Sequence, residues 1–184
     1  GNVTDTVQKD WGDVNPRTYH NDYLVTSNYV RNRLTVSKLT PPGGTQFTLV
    51  TNTYDVYTSY ICGQSAALTD LPGSALEHDA SYGTSYTVRG NLSYRDDASG
   101  RSCAVYDTGG NVLKSVAPNG AVTVNGLSGS TNWSAPGTIT MGSLTETLSW
   151  TSFLGLQSAT GPNGDTASTT YDIYARPAQT TSSR

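Results

Sequence analysis

Tyr106-Asp107-Thr108-Gly109-Gly110-Asn111-Val112, running on through Leu113-Lys114-Ser115-Val116-Ala117 to Pro118-Asn119-Gly120, is matched position by position 44 residues later. The second copy starts at Trp150-Thr151 and ends at Pro162-Asn163-Gly164. In both, the aromatic precedes the last glycine by 14 positions, and the next Tyr-Asp pair, Tyr171-Asp172, follows Trp150 by 21. A period near twenty residues is the mark of stacked supersecondary units, each of which needs its neighbours to bury a face. The residue types say what the unit is. Tyr favours a pleated, half-buried surface, Gly accepts positive φ, and Asn-Gly is the strongest short hairpin signal. One unit is therefore an aromatic-led strand, a glycine turn, a second short strand and a Pro-Asn-Gly turn, the last expected as type I′ with positive φ at both central residues.

The register extends in both directions. In the second copy Thr151 replaces Asp, and the turn glycine, Gly155, arrives one residue late. A third copy begins Tyr171-Asp172-Ile173-Tyr174-Ala175-Arg176-Pro177. Upstream, Arg33-Leu34-Thr35 leads past Pro41-Pro42-Gly43-Gly44 to Thr53-Tyr54-Asp55. Arg89-Gly90-Asn91-Leu92-Ser93 has the form of another turn and strand. The repeat signature comprises Tyr54, Asp55, Tyr106, Asp107, Gly110, Gly120, Trp150, Gly155, Gly164, Tyr171 and Asp172. Asp after the strand aromatic suits an Asx-type brace, in which the carboxylate accepts from backbone N–H groups of the following turn. A recurring acid argues for structure, since a catalytic acid is normally needed once.

Composition points the same way. Hydrophobic residues make up 35% and charged residues 14%, against typical values of about 45–50% and about 25%. Ser, Thr, Asn and Gly carry the polarity, and no long window has apolar residues at helical spacing. The expectation is an all-β chain, helix content near zero, built as stacked antiparallel strand-turn repeats in one large curved sheet. It spans residues 1–184 as a single domain, with the clearest units at 89–126 and 150–177 and a divergent stretch at 128–149.

These residues resemble the YD repeats of the Rhs (rearrangement hotspot) family, whose unit reads roughly Tyr-Asp-x-x-Gly-Arg or Gly-Asn, then a strand, then a glycine turn. Ala175 stands where that family has glycine. The resemblance implies a segment of a shell or open barrel in a secreted or cell-surface bacterial protein, encapsulating or displaying a toxin or adhesive domain. Its partners would be the remainder of a repeat array and an enclosed C-terminal domain, with any export signal outside this stretch. The chain opens on Gly1-Asn2-Val3-Thr4, as if inside a unit. The Asp-Pro motif at which many such shells cleave themselves does not occur. Carbohydrate binding, also described for YD-repeat proteins, is the second reading, and a glycan-active hydrolase using an Asp/Glu pair the third.

The remaining features bound the chemistry. Net charge is −3 and the basic residues are scattered, which disfavours nucleic acid, whose phosphates call for clustered Lys and Arg. No run approaches the roughly 20 apolar residues of a membrane span. The only cysteines, Cys62 and Cys103, are 41 apart and in strand-like settings. They form either a disulfide between neighbouring strands, worth about 4 kcal/mol in the chain-entropy model, or two buried thiols. The two histidines, His20 and His78, read as solvated loop residues, the latter between Glu77 and Asp79. No nucleophile elbow, zinc motif or phosphate loop is present, so no cofactor, metal or enzymatic activity is expected. The period-matched aromatics suit packing, which leaves the off-register Trp11, Tyr82, Tyr86 and Trp133 as candidate glycan contacts.

Overall fold

The computed structural model describes residues 1–183 except 13, 27–29, 58, 59, 74 and 77. It is all-β, with no α-helix among the described residues. In chain order the strands are β1 (Asp5–Gln8), β2 (Arg17–Tyr23), β3 (Leu34–Thr40), β4 (Phe47–Tyr54), β5 (Tyr60–Ile61), β6 (Gln64–Ser65), β7 (Leu92–Asp97) and β8 (Gly100–Tyr106). They continue as β9 (Val112–Val116), β10 (Val122–Leu127), β11 (Pro136–Met141), β12 (Leu144–Trp150), β13 (Leu156–Thr160), β14 (Thr166–Tyr171) and β15 (Pro177–Ser183). All but β5 and β6 belong to one 13-stranded sheet in which strands follow one another in chain order, β1 and β15 at its edges; β5 and β6 pair only with each other. Of the expected run 57–61, β5 is strand, while 58 and 59 lie outside the described residues.

The chain divides into two compact units, Gly1–Ala66 with Thr87–Cys103, and Ala67–Tyr86 with Ala104–Arg184. In the first, the buried side chains are Val50, Tyr57, Ile61, Ala66, Ser93 and Cys103; in the second, Val105, Asp107, Thr108, Val116 and Thr131. Both cores are small. Backbone ladders and turn chemistry must therefore carry much of the specificity.

One turn geometry recurs five times in the second unit. At Asp107–Asn111, Ala117–Ala121, Thr151–Gly155, Gly161–Asp165 and Asp172–Arg176, the first residue's N–H donates to the fifth residue's carbonyl. The fourth residue's N–H donates back to the first carbonyl, all at 2.8–3.1 Å. The fourth residue has positive φ each time: Gly110 82°, Gly120 83°, Leu154 62°, Gly164 82° and Ala175 60°. These are three-residue hairpin loops, a type I turn followed by a left-handed residue.

Two expectations are thereby corrected. Pro118-Asn119-Gly120 and Pro162-Asn163-Gly164 are not type I′ turns, because neither Asn119 nor Asn163 has positive φ. Proline fixes its own φ near −65° at the second turn position, which selects type I and leaves only the glycine left-handed. Gly155 is likewise not the turn glycine of its copy. Leu154 occupies that slot, and Gly155 takes the place of Asn111, where a Cβ would stand 2.6 Å from Phe153 Cε2 and 2.8 Å from Tyr171 Cζ. Close approach, not turn conformation, is what requires glycine there.

The divergent stretch 128–149 is fully built from the same parts. Leu127 and Ser128 stand where Tyr and Asp stand elsewhere. Ser128 N–H donates to Ala135 across a longer loop containing a 3-10 turn, Gly129–Thr131. β11 and β12 are joined by the two-residue loop Gly142-Ser143, with positive φ at Gly142.

Leu154 is 47% exposed and sits in a conformation that costs a residue with a Cβ roughly 1–2 kcal/mol. Leu154→Gly is therefore expected to raise stability by about 1 kcal/mol, and Gly164→Ala to lower it by about the same. Urea unfolding midpoints of the two variants check the opposite signs.

Candidate functional site

The recurrent Tyr-Asp corner is the most constructed feature of the chain. Opposite each strand-ending residue, the following strand carries one extra residue. The register steps from Asp22↔Val36 to Tyr23↔Leu34 across Thr35, and from Thr53↔Tyr94 to Tyr54↔Leu92 across Ser93. It steps again at Leu127↔Pro136 across Gly137, at Trp150↔Leu156 across Gln157 and at Tyr171↔Pro177 across Ala178. A β-bulge recurs at the same place in each of these hairpins, on the returning strand, and sharpens the local twist, while Trp150 ends the less exposed face of its own strand. Along β12 that face carries Glu146, Leu148 and Trp150, while Thr145, Thr147 and Ser149 are exposed.

From this face each aromatic reaches backwards. Tyr23 Oη donates to the Val3 carbonyl at 3.0 Å, Tyr54 Oη to Leu34 at 2.8 Å, Trp150 Nε1 to Pro136 at 2.7 Å and Tyr171 Oη to Leu156 at 2.9 Å. Leu34 and Leu156 are themselves the bulge partners of the previous aromatics, Tyr23 and Trp150, and Pro136 is the partner of Leu127. At Tyr54, Trp150 and Tyr171 each hairpin is thus latched to its predecessor at the point where that predecessor's turn ends, and Tyr23 makes the like bond to Val3, ahead of β1. Tyr23 and Tyr54 do this in the first unit, Trp150 and Tyr171 in the second. Where Leu127 lacks a polar tip, Asn125, two residues earlier on the same face, donates to the Val112 carbonyl at 2.8 Å. Asn52 makes the equivalent bond beside Tyr54, also to Leu34, at 2.8 Å.

The acids following the aromatics hold the turns. Asp107, buried, accepts from Asn111 N–H at 2.8 Å and from the Asn111 amide, which also donates to the Trp133 carbonyl at 3.1 Å. Asp172 accepts from the N–H groups of Tyr174 and Arg176 at 2.9 and 3.0 Å, and the Arg176 guanidinium lies 2.7 Å from its carboxylate. That guanidinium, first among the causes, lowers the Asp172 pKa below its ordinary value. Thr151 does the same with a hydroxyl, Oγ1 accepting from Gly155 N–H at 2.9 Å.

Asp55 braces a turn that has been opened. Its backbone N–H donates to Asn91, and its carboxylate accepts from the N–H groups of Arg89, Gly90 and Asn91 at 3.0, 2.8 and 2.9 Å. Gly90-Asn91-Leu92 is therefore the missing half of the Tyr54-Asp55 turn, with Gly90 at φ 73°, rather than a separate unit. Residues 56–88 are inserted between the halves. Within the first unit the start of this insertion is anchored by Tyr57, whose hydroxyl donates to Asp55 at 2.8 Å. Burial above all, and then the neighbouring carboxylate, pushes the Tyr57 pKa up. The Ser93 hydroxyl accepts from Val56 N–H, and the Cys62–Cys103 disulfide joins Cα atoms 6.3 Å apart. Cys103 lies in β8, but Cys62 does not lie in a neighbouring strand. With Gly63 it forms the tip of the β5–β6 hairpin, both at positive φ, as a type I′ turn demands.

The candidate glycan contacts are spread out. Trp11 in the first unit is fully exposed. In the second, Tyr82 is half-exposed at the end of a 3-10 turn, Ala80–Tyr82, and meets Tyr86 edge to face, centroids 5.0 Å apart. Trp133 is half-buried at φ 61° and lies over Gly129. Adjoining it, Asn132 exchanges hydrogen bonds with the Leu76 backbone, tying loop 67–86 to loop 128–135. Glu146 and Asp165 line one open hollow with Ala159, Gly161 and Thr166. Neither belongs to the recurring acids, and no aromatic lines that hollow. Among the described residues no group of three or more His, Cys, Asp or Glu side chains could hold a metal ion. Among the described residues no helix is long and apolar enough to cross a membrane.

His20 is not a loop residue. It stands in β2, register partner of Asp5 on one side and Lys38 on the other. Its Nδ1 lies 2.7 Å from Asp5 and its Nε2 3.1 Å from Asp22, which in turn lies 3.3 Å from Lys38 Nζ. The hydrogen bond to Asp5, then that to Asp22, raises the His20 pKa above 6.5. His78 lies outside the strands, and its neighbour Glu77 lies outside the described residues.

Asp55→Ala leaves three backbone donors without their acceptor and is expected to cost about 3 kcal/mol. Asp172→Ala, on an exposed turn, is expected to cost clearly less, a ranking that denaturant unfolding reads directly. A folded-state pKa above the unfolded value means that the His20 contribution is complete below about pH 6.5 and disappears as pH rises through the raised value. Stability of the native chain should therefore fall across that window and that of His20→Gln should not, with the imidazole titration followed by NMR.

No protein-family model and no curated protein matches the chain. Among solved structures it is similar to the TcdB2-TccC3 complex, at 10% identity and TM-score 0.40, over 91% of this chain and 7% of that one. The TcdB2-TccC3-TEV complex is similar at 12% identity and TM-score 0.39, over 98% and 8%. A Tc holotoxin pore of Photorhabdus luminescens is similar at 9% identity and TM-score 0.40, over 97% and 10%. The chain spans no more than a tenth of the length of each of these.

Proposed function

We propose that this chain is a non-enzymatic structural segment, one domain over residues 1–184, of an Rhs-type YD-repeat shell in a secreted or cell-surface protein. The shell would encapsulate or display a toxin or adhesive domain, and the chain's partners would be further repeats and that domain. The observation that supports this is the latch between consecutive hairpins. The polar tips of Tyr54, Trp150 and Tyr171 are committed to the backbone of the hairpin before them, and that of Tyr23 to the Val3 carbonyl ahead of β1. Such a bond has a use only in an array, where each unit completes the one behind it.

The recurring acids fit the same role. Asp55, Asp107 and Asp172 are each occupied by the N–H groups of their own turn, so none is left to act on a substrate. The exposed face supports a wall that does not adhere to what it encloses. Its hydroxyls satisfy one another across strands, Thr140 with Thr145, Ser149 with Ser158, Ser168 with Thr181 and Thr166 with Ser183, at 2.6–3.0 Å.

The rival reading, a carbohydrate-binding module, has the Tyr82–Tyr86 pair as its best surface. A broad glycan array on the folded, monodisperse chain separates the two, with Tyr82→Ala and Trp133→Ala variants alongside. The expected outcome is a blank array. Saturable binding to one sugar class, lost in Tyr82→Ala, would replace the wall reading with surface recognition.

A further inference from the structure

We infer that two neighbouring turns of the second unit, Thr151–Gly155 and Asp172–Arg176, form a surface that docks on the interface of a zwitterionic lipid bilayer. The inference goes beyond the wall role and rests on turns inside the sheet, not on its edges. At their crests stand Phe153, Leu154, Ile173 and Tyr174; the first two are half-exposed, Ile173 is 91% and Tyr174 71% exposed. The two turns adjoin. Phe153 meets the Tyr171 ring edge to face with centroids 5.1 Å apart, and the Tyr171 hydroxyl donates to the Leu156 carbonyl.

At the opposite end of the sheet in this unit the turns read Pro118-Asn119-Gly120, Gly142-Ser143 and Pro162-Asn163-Gly164, with no apolar side chain beyond proline at their crests. Met141 and Leu144, exposed there, are strand ends that face each other across their hairpin. Leu154 is an independent sign. Its φ of 62° is at the turn position that Gly110, Gly120 and Gly164 fill elsewhere, and a half-exposed side chain recovers little of that conformational cost by packing. Backbone strain that the fold does not require points to a functional position.

Shape and charge select the partner. The four side chains stand on crests rather than in a hollow, so a small ligand finds nothing to enclose it, whereas a bilayer closes around any convex apolar group that enters it. Asp172 and Arg176 are the charged residues of 150–156 and 171–177, and they cancel: the guanidinium lies 2.7 Å from the carboxylate and stacks over the Tyr174 ring at 5.1 Å. A crest without net charge matches zwitterionic headgroups. Tyr and Arg are also residue types that settle where an apolar layer meets a wet one. The Asp172 carboxylate holds the N–H groups of Tyr174 and Arg176, which fixes this crest before docking and leaves little ordering to oppose it.

The test is flotation of the intact chain with phosphatidylcholine vesicles, and with vesicles that also contain phosphatidylserine, at low and high salt. Amide hydrogen exchange is followed on the vesicle-bound samples. The expected result is partitioning onto phosphatidylcholine that salt leaves unchanged, with exchange slowed at 152–155 and 173–176. Ile173→Ser is expected to weaken partitioning about tenfold, the scale of one apolar side chain returned to water. Leu154→Gly should weaken it while raising stability, which separates loss of docking from loss of folding, and Asn163→Ser, at the other end, should leave it unchanged. Absence of flotation would overturn the inference, as would binding that needs phosphatidylserine and is lost in salt, or an Ile173→Ser variant that binds as the native chain does. Self-association of the chain that Ile173→Ser abolishes would assign the crests to a second copy, and would overturn it too.

Discussion

The constraint on which the rest depends is the meeting of a β-bulge and an aromatic tip at the ends of β2, β4, β12 and β14. In a regular antiparallel pair, a residue that points to one face has nothing to offer the backbone of the strand beyond. Adding one residue to the returning strand shifts the register there, and the aromatic lands beside the previous hairpin's first carbonyl after its turn. One bond of about 1 kcal/mol is small by itself. Repeated at four corners, it fixes both register and order, which alternating Thr and Val alone specify weakly.

The turn chemistry is a separate device. A three-residue loop with one left-handed residue reverses the chain at the bulged corners Thr151–Gly155 and Asp172–Arg176, and equally at Ala117–Ala121 and Gly161–Asp165, where the register is regular. The acid or hydroxyl at the first turn position accepts the backbone N–H groups that the tight loop leaves over, so Asp107, Thr151 and Asp172 are variants of one brace. Asp55 shows how robust the brace is. Thirty-three residues, 56–88, separate it from Arg89-Gly90-Asn91, yet it collects all three N–H groups from the far side. An insertion is tolerated at this corner because lengthening a closed loop costs little beyond the first few residues. Here the Tyr57 hydroxyl and the disulfide further restrict it.

Much of this was legible in the residues. The spacing of Tyr106, Trp150 and Tyr171 foretold two strands per unit, and the absence of helical periodicity foretold an all-β sheet in chain order. What was hidden lay where chemistry substitutes for identity. Leu127 hides a unit whose latch has moved to Asn125, two residues back on the same face, and a period search keyed to aromatics passes over it. Leu154 hides a left-handed turn position because a side chain disfavoured there is accepted when the loop on either side dictates the conformation. The Asn-Gly pairs pointed to the wrong turn type because the proline before them, not the asparagine, decides the class. Tyr54-Asp55 and Gly90-Asn91 looked like two corners because adjacency in sequence is a poor guide once a loop is inserted. The signal that would have joined them was the repetition of Gly-Asn followed by an apolar residue, at 90–92 as at 110–112.

A chain with 35% hydrophobic residues cannot rely on burying a large continuous core. It distributes its stability over ladders, latches and braces, each local to one or two hairpins. This explains why the exposed face can be almost wholly Ser and Thr over β11 to β15. Apolar side chains there would add little burial and would invite sheet-to-sheet association. Hydroxyls pair across strands instead.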